Sequence, residues 1–320
     1  MSTITTDLEL ALTHLQQGDI VAIPTETVYG LAGNAANEQA IRKIYTLKNR
    51  PLNHPLIMHV AENADLSRWV AHVPDYAQIL IDNFWPGPLT LVFKSKAGQV
   101  SPSITGGQDT VAIRCPKHSL AQELLQKLDF PLVAPSANPF GKISPTTAEH
   151  VRYSFQHDDL LILDGGRCQV GIESTIVAAT NPQSYEILRH GTIDENHIHS
   201  VLARQQFKDQ TSIRVPGKLE SHYQPEKPLF CFNDATTISN FIKQKNDLSV
   251  YVLSFSEIAQ ANPKLCYRLP NTPEQTAYEL YFQLRCADQS QANCLVIELP
   301  PEQEQWQGVR ERILKAGKLL

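Results

Sequence analysis

The chain lacks any C-x-x-C pair, and its six cysteines, Cys115, Cys168, Cys231, Cys266, Cys286 and Cys294, are scattered without a Cys/His cluster at zinc spacing. Neither a disulfide framework nor a structural metal site is expected, and the thiols read as reduced packing residues. No G-x-x-x-x-G-K-[ST] occurs, so a phosphate site has to be built without a P-loop, and no G-x-G-x-x-G announces a dinucleotide fold. Apolar runs stay well short of the roughly 20 residues a membrane span requires. The first residues carry Asp7 and Glu9 where a signal peptide would be basic, and a cytoplasmic location is the expectation. A basic excess is missing as well: the net charge of −5 argues against bulk nucleic-acid binding. Internal repeats and low-complexity tracts are absent.

What is present is an ordinary globular composition in 320 residues, enough for two domains. Thr6 with Glu9 reads as a capping box before Leu8, Ala11, Leu12 and Leu15, a first helix closed by Gly18. Strands are predicted at Ile20 to Ile23, Leu56 to Val60, Leu89 to Phe93, Val111 to Ile113, Leu132 to Ala134, Leu160 to Leu163, Thr175 to Ala179 and Glu186 to Leu188. Helical patterns fall near 6–17, 37–48, 75–84, 118–128 and 194–204. Residues 1–204 thus read as a mixed α/β domain with a large twisted sheet. Residues 205–229 are polar, Pro- and Gly-containing and weakly periodic, which suggests a linker, stiffened where His222-Tyr223 precedes Pro225. In 230–320, strands at 249–253, 265–269 and 294–299 alternate with helices near 235–245, 273–287 and 304–319. That alternation predicts a smaller Rossmann-like α/β domain.

Two short segments carry the chemistry. In Lys48-Asn49-Arg50-Pro51 a helix with Ile41, Ile44 and Tyr45 on one face meets a proline that ends it, leaving two cations at its exit. His59 then interrupts the apolar run 56–60, where a buried imidazole needs a partner. Across the chain, Ser136-Ala137-Asn138 is a turn between Pro135 and Pro139, followed by the hydroxyls of Ser144, Thr146 and Thr147. Both segments read as too polar for a core. Together they suggest a phosphate site; taken singly, each also reads as a solvated helix end or turn. Lys48, Arg50, Arg114, Lys142 and Arg189 are candidates for a local basic groove.

Seven blocks in order, IPTETVYGLAGNA (23–35), LKNRPLNHPLIMHV (47–60), FWPGPLTLVF (84–93), TVAIRCP (110–116), PLVAPSANPFGKISPT (131–146), GIESTIV (171–177) and ILRHG (187–191), resemble the YrdC-like threonylcarbamoyl-AMP synthase family. PGKLESHYQP (216–225) and the ending with AYELYFQLR and VRERILKAG resemble that family's two-domain form, more weakly. The resemblance implies an L-threonylcarbamoyladenylate synthase. Such an enzyme makes threonylcarbamoyl-AMP and pyrophosphate from L-threonine, bicarbonate and ATP, with Mg2+ bridging phosphate oxygens. The product serves the threonylcarbamoyladenosine modification of tRNA next to the anticodon.

By the same resemblance, Thr27, His59, Arg114, Ala134 and Ser174 fall at positions around L-threonine, with Arg114 on its carboxylate and Ala134 offering only backbone. Lys48 and Arg50 match the catalytic Lys-x-Arg that neutralises phosphate. His54, Thr110, Ser136, Asn138, Ser144, Arg189 and Tyr223 match further ATP positions, Tyr223 being a residue that closes over the nucleotide. No protein ligand to the metal is assigned. Partners implied are the downstream threonylcarbamoyl-transfer complex and, as a candidate, tRNA itself.

The chain departs from the family pattern at Asn49, usually glycine, at His54, often asparagine, at His190, usually proline, and at Ser221, often basic. Two rival readings are a carbamoyltransferase of hydrogenase maturation, which shares these motifs but carries zinc-motif regions absent here, and a non-enzymatic RNA-binding module.

Overall fold

A computed structural model describes residues 1–202, 207–208 as backbone, 212–217, 222–245 and 247–320. The first part of the chain forms one eleven-stranded mixed sheet. Its spatial order is Thr3–Thr5, Leu161–Leu163, Val21–Ile23, Gly30–Asn34, Leu132–Val133, Ile57–His59, Thr110–Arg114, Leu89–Lys94, Thr175–Ala178, Ser184–Arg189 and Phe207–Lys208. The remainder forms a five-stranded parallel sheet ordered Cys266–Arg268, Val250–Ser254, Cys294–Glu298, Leu229–Phe232 and Lys318–Leu319.

Both faces of the large sheet are buried, because successive strand residues point to opposite sides. Val21, Ile23, Ala32, Leu161 and Leu163 join one apolar cluster, whereas Ala22, Leu31 and Ile162 join the other. A further cluster crosses between the two parts of the chain, uniting Val28, Ile143 and Ile172 with Leu280, Tyr281, Val309 and Ile313. The smaller sheet is therefore docked on the larger one through a shared core.

Differences from the predicted elements have local causes. The first helix, Leu8–Gln16, is capped by Asp7, whose carboxylate accepts from the Glu9 and Leu10 amides, and not by a Thr6–Glu9 box. Thr3–Thr5 and Phe207–Lys208 are edge strands too short for a periodic signal. Gly30–Asn34 contains two glycines that sequence patterns demote, yet it pairs on both sides. Its Gly30 is needed for approach, since a Cβ there would lie 3.0 Å from Ala134 Cβ. Leu229–Phe232, at the predicted linker's end, is a central strand of the small sheet, and Lys318–Leu319 is a strand where the last helix was expected to continue. Of the helix predicted at 194–204, Glu195–Val201 is observed, and residues 203 and 204 lie outside the described residues.

The helix Glu38–Lys48 decides how the site is entered. Asn37 caps its start by accepting from Gln39 and Ala40 amides, and Ala40, Ile41, Ile44, Tyr45 and Lys48 share its buried face. It ends on Asn49 in the left-handed conformation, φ 51°, with the Arg50 amide returning to Tyr45 O. Asparagine is the usual substitute for glycine at this cap position, so the departure noted at Asn49 preserves the turn.

Candidate active site

The cations of the first segment and Asn138 of the second are buried, contrary to the reading that they are too polar for a core, while Asn49 and Pro51 are exposed. Lys48 is 1% exposed and Arg50 8% exposed. The Lys48 ammonium donates to the carbonyls of Ser136 and Asn138, joining the two segments directly. Burial, reinforced by the neighbouring Arg50 charge, holds that ammonium well below the usual lysine range. Arg50 donates to Pro55 O at 2.8 Å and lies 5.5 Å from the Phe140 ring centroid.

A closed cavity of about 50 Å³ opens where these segments meet the ends of the central strands. Thr27, His59, Arg114, Ala134 and Ser174 all line it, although they come from five separate stretches of chain. Strand register brings them together. Ile57–His59 runs parallel to Thr110–Arg114 with His59 opposite Arg114, and Thr90 on the other neighbour is also opposite Arg114. Thr90 in turn shares a 2.7 Å hydroxyl hydrogen bond with Ser174.

Arg114 is paired with Glu26 at 2.7 Å, both nearly inaccessible to solvent. The pairing is by charge alone, because Arg114 Nη2 and both Glu26 oxygens have no properly aimed hydrogen-bond partner. Arg114 Nε also donates to Gly87 O at 3.3 Å, and the guanidinium held by these contacts lines the cavity. His59 lies with Nδ1 3.2 Å from Ile57 O. A carbonyl only accepts, so that nitrogen carries the proton and Nε2 presents a lone pair. Burial, with Arg114 nearby, drops the imidazole to about 3 and keeps it neutral at physiological pH.

Of the nucleotide candidates, Arg50, Ser136, Arg189 and Tyr223 line the same cavity. Arg189 donates to Ser174 O at 2.9 and 3.1 Å, to the Ser174 hydroxyl at 3.2 Å and to Pro216 O at 3.1 Å. Lys48, Asn138 and Ser144 are not among the lining residues. Asn138 donates to Pro139 O and Lys142 O while its own Oδ1 is buried without a partner. Ser144 gives its proton to Glu173 at 2.5 Å. His54 packs edge-on against Phe140, 5.1 Å between centroids, beside rather than inside the cavity. Thr110 opens the strand that Arg114 ends, about 13 Å away at strand rise, and does not line the cavity.

The predicted linker runs into this site. Pro216, Gly217, His222 and Tyr223 line the cavity, Tyr223 being 1% exposed with φ 63°. Its ring lies 4.1 Å from His222 and 5.6 Å from Tyr281. Ser221, noted as a departure, lies outside the described residues. A space of about 50 Å³ holds a water or two, whereas ligand pockets run to roughly 300–1,000 Å³. Pro216, Gly217, His222 and Tyr223 thus narrow the cavity.

Sequence reasoning passed over Glu26, Glu173, Tyr281 and Arg312. Glu26 and Glu173 sit inside quoted motifs, Glu26 between Thr25 and Thr27 and Glu173 between Ile172 and Ser174, where an acid within a short turn-and-strand block was the available signal. Arg312 had one too: it shares a helical face with Val309, Ile313 and Ala316, all buried.

Fold and site define an α/β protein with one enclosed small-molecule pocket, furnished for a carboxylate beside a cation-lined wall. A family model described as "Telomere recombination", for the Sua5, YciO and YrdC domain, matches residues 13–191. Another, described as "Threonylcarbamoyl-AMP synthase, C-terminal domain", matches 193–317. The threonylcarbamoyl-AMP synthase of Bacillus subtilis (strain 168) is 36% identical, covering 99% of this chain and 94% of that protein. That of Pyrococcus abyssi is 32% identical over 97% of this chain and 94% of its own length. The crystal structure of P. abyssi Sua5 complexed with L-threonine superposes with a TM-score of 0.90 at 31% identity, covering 100% and 99% of the two chains. The chain belongs to the two-domain threonylcarbamoyl-AMP synthase family.

Proposed function

We propose that this chain is an L-threonylcarbamoyladenylate synthase. Threonine's amine adds to bicarbonate with loss of water, giving a carbamate. A carbamate oxygen attacks the α-phosphorus of ATP, the bond to the bridging oxygen breaks, and pyrophosphate leaves with the electron pair. The observation that carries this reading is the convergence of Thr27, His59, Arg114, Ala134 and Ser174 with Arg50, Ser136, Arg189 and Tyr223 on one enclosed cavity.

Arg114 draws the threonine carboxylate to its cavity-lining guanidinium, and the neutral His59 accepts a hydrogen bond from the amine or hydroxyl. ATP would enter as its magnesium complex, the ion arriving with the substrate and supplying charge to its phosphates. Arg50 and Arg189 line the cavity and neutralise the polyphosphate, and Lys48, tied to the Ser136 and Asn138 carbonyls behind that wall, adds to the positive field there. Catalysis is then positioning and charge stabilisation without a covalent enzyme intermediate. Cys115 suits that reading, since burial pushes its thiol up to about 12. The product feeds threonylcarbamoyladenosine formation on tRNA through a separate transfer complex in the cytoplasm. Among the described residues no helix is long and apolar enough to cross a membrane.

The decisive assay is pyrophosphate release with magnesium-ATP and bicarbonate, with and without L-threonine, with serine and glycine as controls. Release is expected only when threonine and bicarbonate are both present. Threonine-independent release, or none, would sink the reading in favour of a carbamoyltransferase or an RNA-binding module.

The lid role of segment 205–229 predicts that Tyr223→Ala weakens ATP by about tenfold, the worth of one good aromatic contact. A bound fluorescent ATP analogue should also become more accessible to a soluble quencher. Unchanged affinity and quenching would leave the segment a tether.

A further inference from the structure

Among the described residues, Glu173 is the one acid that lines a cavity assigned above to a polyanion. Left alone, its carboxylate would repel the triphosphate. Its oxygens are fully engaged: Oε1 accepts from the Ser144 hydroxyl at 2.5 Å, and Oε2 accepts from Tyr281 Oη at 2.9 Å and Arg312 Nε at 3.0 Å. Ser144 belongs to the large domain, but Tyr281 and Arg312 lie on helices Pro273–Gln289 and Gln307–Ala316 of the small one.

Arg312 has no solvent-exposed surface. Besides Glu173 Oε2 it donates from Nη1 to His190 O at 2.6 Å and from Nη2 to Glu173 O at 3.3 Å. Its reach across the interface depends on Gly308 one turn earlier, where a Cβ would lie 2.5 Å from Gly191 O. Only a glycine lets the helix come this close.

Burial by itself would raise the Glu173 carboxyl, yet the charges of Arg312 and Arg189 and the Ser144 hydrogen bond hold it at about 2. Burial would likewise lower the Arg312 guanidinium, and Tyr223, Glu173 and Tyr281 reverse that. The groups facing Glu173 are thus Arg312, Arg189, Lys48, His222, Tyr223 and Tyr281. His222 is neutral, its imidazole lowered to about 3 chiefly by burial.

We propose that the small domain completes the nucleotide half of the site. Arg312 is a positioning residue that cancels the Glu173 charge and, through Glu173, fixes Ser144, so that a triphosphate meets cations and not an uncompensated carboxylate. The domain is then a component of the ATP site. This rests on the ATP reading above, and the test separates the two.

Arg312→Gln, checked for folding by circular dichroism and thermal melting, is expected to raise KM for ATP about tenfold or more. KM for threonine should change by less than about twofold, since Arg114 and His59 are untouched. Freed of Arg312, Glu173 binds a proton more readily because burial then dominates. The excess in ATP KM over wild type should therefore shrink as pH falls from about 8 to about 6.

The double variant Arg312→Gln/Glu173→Gln removes both charges at nearly constant volume; Glu173→Gln keeps one acceptor oxygen, and its amide nitrogen donates where a carboxylate oxygen had accepted. It should recover an ATP KM within about threefold of wild type and lose the added pH dependence. A folded Arg312→Gln with unchanged ATP KM, or a double variant as impaired as the single, overturns the proposal. Should the single variant fail to fold, the double one decides alone by the same threefold criterion. Should both fail, Arg312→Lys, which keeps the charge, must hold ATP KM within about threefold or the proposal falls. A wild-type protein that releases no pyrophosphate would overturn the function reading instead, and calorimetric binding of ATP would still test the Arg312–Glu173 pair.

Discussion

Arg114→Ala is expected to raise KM for L-threonine by between about thirtyfold and several thousandfold, while the affinity for ATP stays within about threefold. The range is the cost of removing one partner of a buried charge-assisted contact, about 2–5 kcal/mol. Arg114 ends the central strand of the large sheet with His59 and Thr90 opposite it on either side, so its guanidinium is held at the cavity floor by the ladder itself. Nη2 lies 2.7 Å from Glu26 and Nε donates to Gly87 O at 3.3 Å, so the protein itself holds the cavity-lining guanidinium in place.

The alanine variant also strands the Glu26 charge, and a stability loss of about 3–5 kcal/mol is expected from that alone. Arg114→Lys separates the two effects. It keeps a cation against Glu26 and so most of the stability, but an ammonium cannot fork onto a carboxylate, and threonine KM should still rise about tenfold. Calorimetric titration of each ligand, with a thermal melt of each variant, reads all of this. Equal losses of threonine and ATP binding in a folded variant would remove Arg114 from the threonine site.

Lys48→Ala should lower the rate of adenylate formation by about a hundred- to a thousandfold, the usual loss on deleting one group that stabilises transition-state charge. The structural role of Lys48 makes this a demanding prediction. Its ammonium joins the Ser136 and Asn138 carbonyls, and losing both bonds costs about 1–3 kcal/mol each in stability. Threonine binding, which depends on the neighbouring half of the cavity, should change little. Single-turnover pyrophosphate release on protein first shown to be folded distinguishes the cases. Near-wild-type turnover would make Lys48 a structural cross-link of the Ser-x-Asn turn. Arg50→Ala is the companion, and because Arg50 lines the cavity its loss should weaken ATP binding as well as turnover.

Much of this was legible from sequence. Alternation and helical spacing found eight strands of the large sheet and the parallel, Rossmann-like layout of the small one, because both periods follow from backbone geometry. They missed Thr3–Thr5, Phe207–Lys208 and Lys318–Leu319, strands of two or three residues whose pairing exists only once a neighbour is in place, as well as Gly30–Asn34, where glycines break the alternation, and Leu229–Phe232 at the predicted linker's end. Motif resemblance singled out Thr27, His59, Arg114, Ala134 and Ser174, and the fold brings these five residues to one cavity.

The sequence by itself determined the strand and helix periods, the Pro-bounded Ser-x-Asn turn, and a helix that ends with two cations at its exit. Only the tertiary structure decided what those cations do. Burial turns Lys48 from a presumed surface charge into a tie between two turns, and it sets Arg114 against Glu26 at 2.7 Å. It also sends Arg312 from an apparently ordinary charged helix to Glu173, 139 residues away in the chain. The reason is physical: a side chain's period is set by its near neighbours, but its charge state and partners are set by whatever distant groups exclude water from it.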